Sequence, residues 1–185
     1  MALLVDGGLD ALTIAAVAER MGASVGGLYR YFESKEAMLV ALQERAILDL
    51  WGFIEGWVTR LESPDPLHRL RAAFEAYLAH AAERPETHEL IISFLSAPRP
   101  LLSNDEALRV NERILGVLAP CRDWIDEAVG SGALGPGDSL QRVHVLWALV
   151  HGLDHFRRRD RILPVELRTG ELFDVAFDAV VAGWR

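Results

Sequence analysis

The stretch TIAAVAERMGASVGGLYRYFESK, residues 13–35, decides how the rest of the chain is read. Ile14, Val17, Ala18 and Met21 recur at intervals of three and four, which is one face of a helix, and Thr13 stands where a hydroxyl caps the first turn. Gly22 stops that helix, because the residue just past a helix end favours a positive φ that glycine adopts without strain. Ser24 caps a second short helix, predicted to reach Phe32 with Val25, Leu28 and Phe32 turned inward. Two short helices joined by Met21, Gly22, Ala23 and Ser24 make the tight corner of a helix-turn-helix. Ala18 is small where the helices cross, and Val17, Met21 and Leu28 are expected to form the internal core.

Outward from this corner the pattern stays helical. Ser34 caps a long helix that opens on Lys35, Glu36 and Ala37 and keeps its apolar spacing to about Leu61, where Ser63-Pro64-Asp65-Pro66 breaks it. Helices are predicted over 66–83 and 86–97, ended by Pro98-Arg99-Pro100, then over 104–129 with a bend near Pro120, over 139–158 and over 166–183. Ser103 with Glu106 and Asp138 with Gln141 have capping-box spacing and mark two of the starts. No strand pattern appears, so the expected fold class is all-α. The expected arrangement is a three-helix head at 1–46, followed by a larger helical domain at 47–185. In the head, only Met1 to Asp6 precede Gly7-Gly8, so its first helix is expected to be truncated.

Composition bounds the function. With 51% hydrophobic and 25% charged residues the chain reads as a soluble globular protein. The lone Cys121 excludes an internal disulfide, and no Cys/His spacing suggests zinc. No signal-peptide pattern or membrane-length apolar run is present, and a reducing cytoplasm is the expected location. The net charge of −8 argues at first sight against nucleic acid. Residues 1–50 carry four basic side chains (Arg20, Arg30, Lys35, Arg45) against seven acidic ones, so the head is not basic either.

The 13–35 segment nevertheless resembles the DNA-binding motif of the tetracycline-repressor-like (TetR) regulators. It combines helix-turn-helix spacing with the run Leu28-Tyr29-Arg30-Tyr31-Phe32 and with Ser34-Lys35-Glu36 opening a long helix. Trp147-Ala-Leu-Val-His151-Gly152 resembles an element of some members. The resemblance implies that the second short helix enters the major groove of double-stranded operator DNA. Ser24, Val25, Gly26, Gly27, Tyr29, Arg30 and Tyr31 would then lie at or beside the groove, and Thr13 and Lys35 would contact phosphates. Gly26 and Gly27 would let the backbone come close. Lys35 is the only lysine beside 18 arginines. Tyr31 is open between core and interface, and Phe32 reads as core.

The helices at 139–158 and 166–183 are apolar over most of their circumference and so need cover on more than one side. A second subunit packing through them gives a homodimer; a central helix within one subunit is the alternative. Trp57, Phe74, Tyr77, Phe94, Trp124, Trp147 and His151 are candidate pocket residues for a small apolar or amphipathic ligand, with core packing the default reading of each.

Other signals carry less. Residues 130–135 (GSGALG) match a dinucleotide fingerprint but follow a helix rather than a strand, so they read as a connecting loop. His144, His151 and His155 with Asp154 suggest pocket or seam polarity rather than a metal. Arg157 to Arg161 reads as a helix C-terminal cap. No catalytic set stands out, and no enzyme activity, cofactor or metal is expected. The reading is a ligand-responsive repressor; the alternative is a helical ligand-binding or interaction dimer whose head does not bind DNA.

Overall fold

The computed structural model describes residues 12–96 and 102–185, with side chains omitted at 93–96. The expectations for the first helix, for the turn at Pro98 and for the Phe94 side chain therefore lie outside the described residues. Helices account for the regular structure there: α1 (Ile14–Met21), α2 (Val25–Tyr29), α3 (Lys35–Leu61), α4 (Pro66–Glu83), α5 (Pro85–Ser96), α6 (Asn104–Gly130), α7 (Ser139–Phe156) and α8 (Thr169–Ala182). The fold is all-α, an N-terminal helix-turn-helix followed by a helical domain, with no strand among the described residues.

The chain divides into two compact units, Met1–Trp51 with His80–Val117, and Gly52–Ala79 with Leu118–Arg185. In the first, Ile14, Ala18, Leu28 and Met38 form the head core, with Val17, Phe32 and Leu42 packed against it. Two sequence expectations fail here. Met21 is 70% exposed and Val25 is exposed as well. Met21 is the last residue of α1, and the chain turns at Gly22 immediately after it; Val25 is the first residue of α2, at its open N-terminal end. The second helix also stops at Tyr29 rather than Phe32. Elsewhere in this unit Gln43 of α3, fully buried, donates to the Ile91 carbonyl of α5 at 3.3 Å.

In the second unit α7 packs on α8. Val143, Leu146 and Val150 of α7 and Phe173, Phe177 and Val181 of α8 are buried, together with Leu70, Phe74, Ile125 and Ala128 from α4 and α6. Burying a side chain of this size stabilises by about 1.5–3 kcal/mol. Arg69 pairs with Glu127, and Arg71 reaches Asp174 at 2.8 Å and also Asp178. α6 runs through Pro120 without interruption. Residues 130–135 close α6 and lead to α7, with Gly132 at φ 77° and Leu134 buried, a helix-to-helix loop. Arg142, nearly buried, donates to the carbonyls of Gly135 and Pro136 and stacks on Trp184 at 5.3 Å.

The last helix begins at Thr169, later than the expected 166, because a 3₁₀ turn, Val165–Leu167, comes first. Its free amide is met by Asp160, whose Oδ1 accepts from the Thr169 amide at 3.1 Å and hydroxyl at 3.0 Å. Arg157–Arg159 continue α7 as a 3₁₀ turn, with Arg157 held by Asp154 at 2.9 Å.

Candidate nucleic-acid interface and effector region

Three hydroxyls build the head by closing its helix N-termini. Thr13 Oγ1 accepts from the Ala16 amide at 3.1 Å, Ser24 Oγ from the Gly27 amide at 3.0 Å and Ser34 Oγ from the Ala37 amide at 3.0 Å. Each satisfies an amide that the helix leaves without an internal partner. The corner between α1 and α2 is a Schellman turn: Gly22 has φ 64°, its amide bonds the Glu19 carbonyl at 3.1 Å, and the Ala23 amide reaches back to Ala18 at 2.9 Å.

These caps fix α2 so that Ser24, Val25, Gly26 and Tyr29 are exposed along it, followed by Arg30 and Tyr31. Tyr31 is 80% exposed, which removes it from the core, and Phe32 packs on the head core as expected. Lys35, half-buried, opens α3, and Thr13, exposed, opens α1. Neither Arg30 nor Lys35 has an ion-pair partner among the described residues. The two glycines differ. A side chain at Gly27 would meet Ser24 Oγ at 3.0 Å, so its absence protects a cap, whereas one at Gly26 would meet nothing within 4 Å. Of the two residues that apolar spacing misplaced, Met21 carried a signal: the glycine at position 22, which ends α1 right behind it, marks it as lying at a rim.

The candidate effector residues do not gather in one place. Tyr77 and His151 meet, the phenol oxygen 3.0 Å from Nδ1, with rings edge to face at 5.3 Å. Trp147 lies against His151 at 5.1 Å and against His144 at 5.9 Å. Burial, and secondarily the Asp154 charge, push the Tyr77 phenol well above its usual range, so it stays a neutral hydrogen-bonding group. Phe74 is a buried core residue, and Trp124 lies under the Arg69 guanidinium at 5.6 Å. Trp57 borders a different feature, a cleft of about 290 Å³ that it shares with Arg60, Leu61, Ala72 and Glu75. His144 and His155 each turn Nδ1 to the carbonyl one turn back, at 2.7 and 2.8 Å. Burial pushes the Cys121 thiol up to about 12, which leaves it a poor nucleophile.

Exposed apolar residues remain on the two final helices: Val145, Ala148 and Phe156 on α7, and Val175, Ala179 and Ala182 on α8, each set spaced by three to eight residues. Val175 is 70% exposed. No helix among the described residues is long and apolar enough to cross a membrane.

Comparison with known proteins agrees with this geometry. The family profile for "Bacterial regulatory proteins, tetR family" matches residues 1–42, and that for "Tetracyclin repressor-like, C-terminal domain" matches residues 70–180. The HTH-type transcriptional regulator RutR of Escherichia coli (strain K12) is 25% identical over 174 residues, covering 94% of this chain and 79% of its own. Among solved structures, the transcriptional regulator FadR from Bacillus subtilis in complex with stearoyl-CoA superposes with a TM-score of 0.77 at 17% identity, covering 100% of this chain and 95% of that one. AibR in complex with isovaleryl coenzyme A and operator DNA gives 0.70 at 17% identity, covering 96% and 91%.

Proposed function

Because the chain belongs to the tetR family of bacterial regulatory proteins, we propose that it is a homodimeric repressor that a small molecule releases from its operator. The observation that carries the DNA-binding part is the uncovered surface of α2. Its helix ends are already capped by Ser24 and its own backbone, yet Val25, Tyr29 and Tyr31 lie open to solvent beside the unpaired Arg30. In this reading the head is residues 1–46. Ser24, Val25, Gly26 and Gly27 meet the major groove, Gly26 by letting the backbone approach. Tyr29 and Tyr31 pack on sugar and phosphate, Arg30 forks onto a guanine edge or a phosphate, and Thr13 and Lys35 hold phosphates at helix N-termini.

Residues 47–185 form the effector and dimerisation domain. The exposed stripes on α7 and α8 are the faces that a second copy covers, which makes a four-helix seam between subunits. The effector is an apolar or amphipathic small molecule, met by some of Trp57, Phe74, Tyr77, Phe94, Trp124, Trp147 and His151. FadR and AibR, solved with acyl-CoA ligands, support a ligand-responsive body. Ligand binding would favour a dimer whose two heads no longer match successive major grooves. A regulator of this kind works in the cytoplasm, where the DNA is.

The test is a fluorescence-anisotropy titration against DNA from the protein's own promoter region at two salt concentrations. Specific binding that weakens with salt, and that falls at least about tenfold in Tyr29→Ala and in Lys35→Ala, is the expected result. Affinity no better than for random DNA would overturn it. That outcome would favour the second reading, an interaction dimer with a silent head, which the excess of acidic over basic side chains in residues 1–50 supports.

A further inference from the structure

The cleft beside Trp57 has a chemistry of its own. Trp57, Arg60 and Leu61 come from the last turns of α3, and Ala72 and Glu75 from α4, all within one compact unit. At about 290 Å³ it lies at the small end of the range for small-molecule sites. Trp57 is half-buried with its ring tilted against Phe53 at 5.8 Å. Leu61 and Ala72 add apolar surface.

Glu75 is the unusual member. It is half-buried, and it has neither a hydrogen bond nor an ion pair among the described residues. Its natural partner is Arg71, one turn back on the same helix. Arg71 is committed elsewhere: it binds Asp174 and Asp178 of α8 and stacks on Phe177 at 4.5 Å. Three carboxyl groups thus share one guanidinium, and Glu75 is the one left over. Burial in the first place, with the charge of Asp174 adding to it and that of Arg71 opposing it, raises its carboxyl above the usual range. Arg60 is exposed and lies back along α3, its Nη1 3.8 Å from where a side chain on Gly56 would begin.

A carboxylate without its cation, next to an indole face and two apolar side chains, is the donor set that holds an ammonium group. The carboxylate supplies a charge-assisted hydrogen bond, the indole a cation–π contact, and the apolar residues a seat for a compact hydrocarbon body. We infer that this cleft binds a small organic ammonium ion, recognised by Glu75 and Trp57. The inference rests on the reading of the body as an effector domain and names the ligand class for its Trp57 side. Arg60 at the rim distinguishes two sources of that group. It is placed to pair with the carboxylate of an amino acid, and it offers nothing to a simple amine.

The experiment is isothermal titration of the full chain with phenethylammonium chloride, L-phenylalanine and phenylacetate, repeated on Glu75→Gln, Trp57→Phe, Trp57→Leu and Arg60→Ala, each checked for native helicity. Saturable binding of either ammonium compound, about tenfold weaker or more in Glu75→Gln and in Trp57→Leu and largely kept in Trp57→Phe, is expected. Binding strengthens as pH rises through the titration of Glu75. Arg60→Ala weakens phenylalanine alone if the ligand is an amino acid and spares both probes if it is an amine; either supports the inference. Phenylacetate binding as tightly, an unchanged affinity in Glu75→Gln, or no saturation up to about 20 mM overturns it. Promoter binding without amine, measured on the same preparations, separates the two readings. If it persists where no amine binds, the ammonium site fails and the regulator stands; if it is absent where amine binding depends on Glu75, the reverse holds.

Discussion

The head and the unit that holds α7 and α8 use their polar side chains in opposite ways. In the head, Thr13, Ser24 and Ser34 each bond an amide three residues along the chain, and a longer reach is made by Gln43 at its far end, to the Ile91 carbonyl. In the other unit, Arg69 reaches Glu127, Arg71 reaches Asp174 and Tyr77 reaches His151, across 58, 103 and 74 residues. Local capping leaves the outer face of α2 free, and the exposed tyrosines stand on it. Cross-helix bonding holds four helices together and leaves the apolar stripes of α7 and α8 exposed. A surface built by short-range bonds can change its side chains at little cost to folding. A core tied by long-range ones cannot.

That contrast is open to attack by mutation. Ile125, fully buried, should cost about 2–5 kcal/mol when cut to alanine, read from the urea midpoint, whereas Tyr29→Ala should move stability by no more than about 0.5 kcal/mol. Equal losses would erase the distinction. Val175→Glu places a charge on an exposed apolar stripe, and sedimentation should show the proposed dimer replaced by monomer with helicity retained. Gly22→Ala forces a side chain into a left-handed conformation and should cost about 1–2 kcal/mol, the largest effect of any exposed position in the head. Tyr77→Phe removes one buried hydrogen bond and should cost about 1 kcal/mol.

The smallest effect is one of pH. In the head's own unit Asp49 accepts from Arg84 at 2.7 Å and from His80 at 3.3 Å, with the His88 ring 5.7 Å from that of His80. Burial lowers the His80 imidazole; the Asp49 hydrogen bond opposes this, and the charges of His88 and Arg84 add to it. Burial by itself raises the Asp49 carboxyl, but hydrogen bonds from Arg84 and His80 outweigh it and hold it below the usual range. Unfolded histidine takes up its proton near about 6.5, before the folded one does, so stability should fall as pH drops below that value. Asp49 adds a further loss as pH falls through the range of free carboxylates and below. Melting curves from pH 7 to pH 4 would show it, and His80→Gln should flatten the upper part of that slope.

The same contrast explains what the sequence made legible. The caps at Thr13, Ser24 and Ser34, the stop at Gly22 and the box at Ser103 and Glu106 are relations over three or four residues, and each is found in the structure, the last with the Ser103 amide donating to Glu106 at 2.9 Å. Periodicity located every described helix within a few residues. It failed where one residue had to be placed on a rim, as with Met21 and Val25, because spacing gives a face but not what covers it. It failed again at the start of α8, whose cap comes from Asp160, nine residues upstream. Glu75 was invisible for the same reason: its isolation is created by Asp174 and Asp178, about a hundred residues away.

Gly26 has a practical consequence. Nothing among the described residues lies within 4 Å of where its side chain would begin, and alanine in a helix is favoured over glycine by about 1 kcal/mol. Anyone engineering this protein for heat resistance, and screening by melting temperature alone, would choose Gly26→Ala among the first substitutions and see it succeed. If the α2 surface is what touches DNA, the hardened variant would have lost part of its grip on the operator, and only a screen that includes DNA would notice.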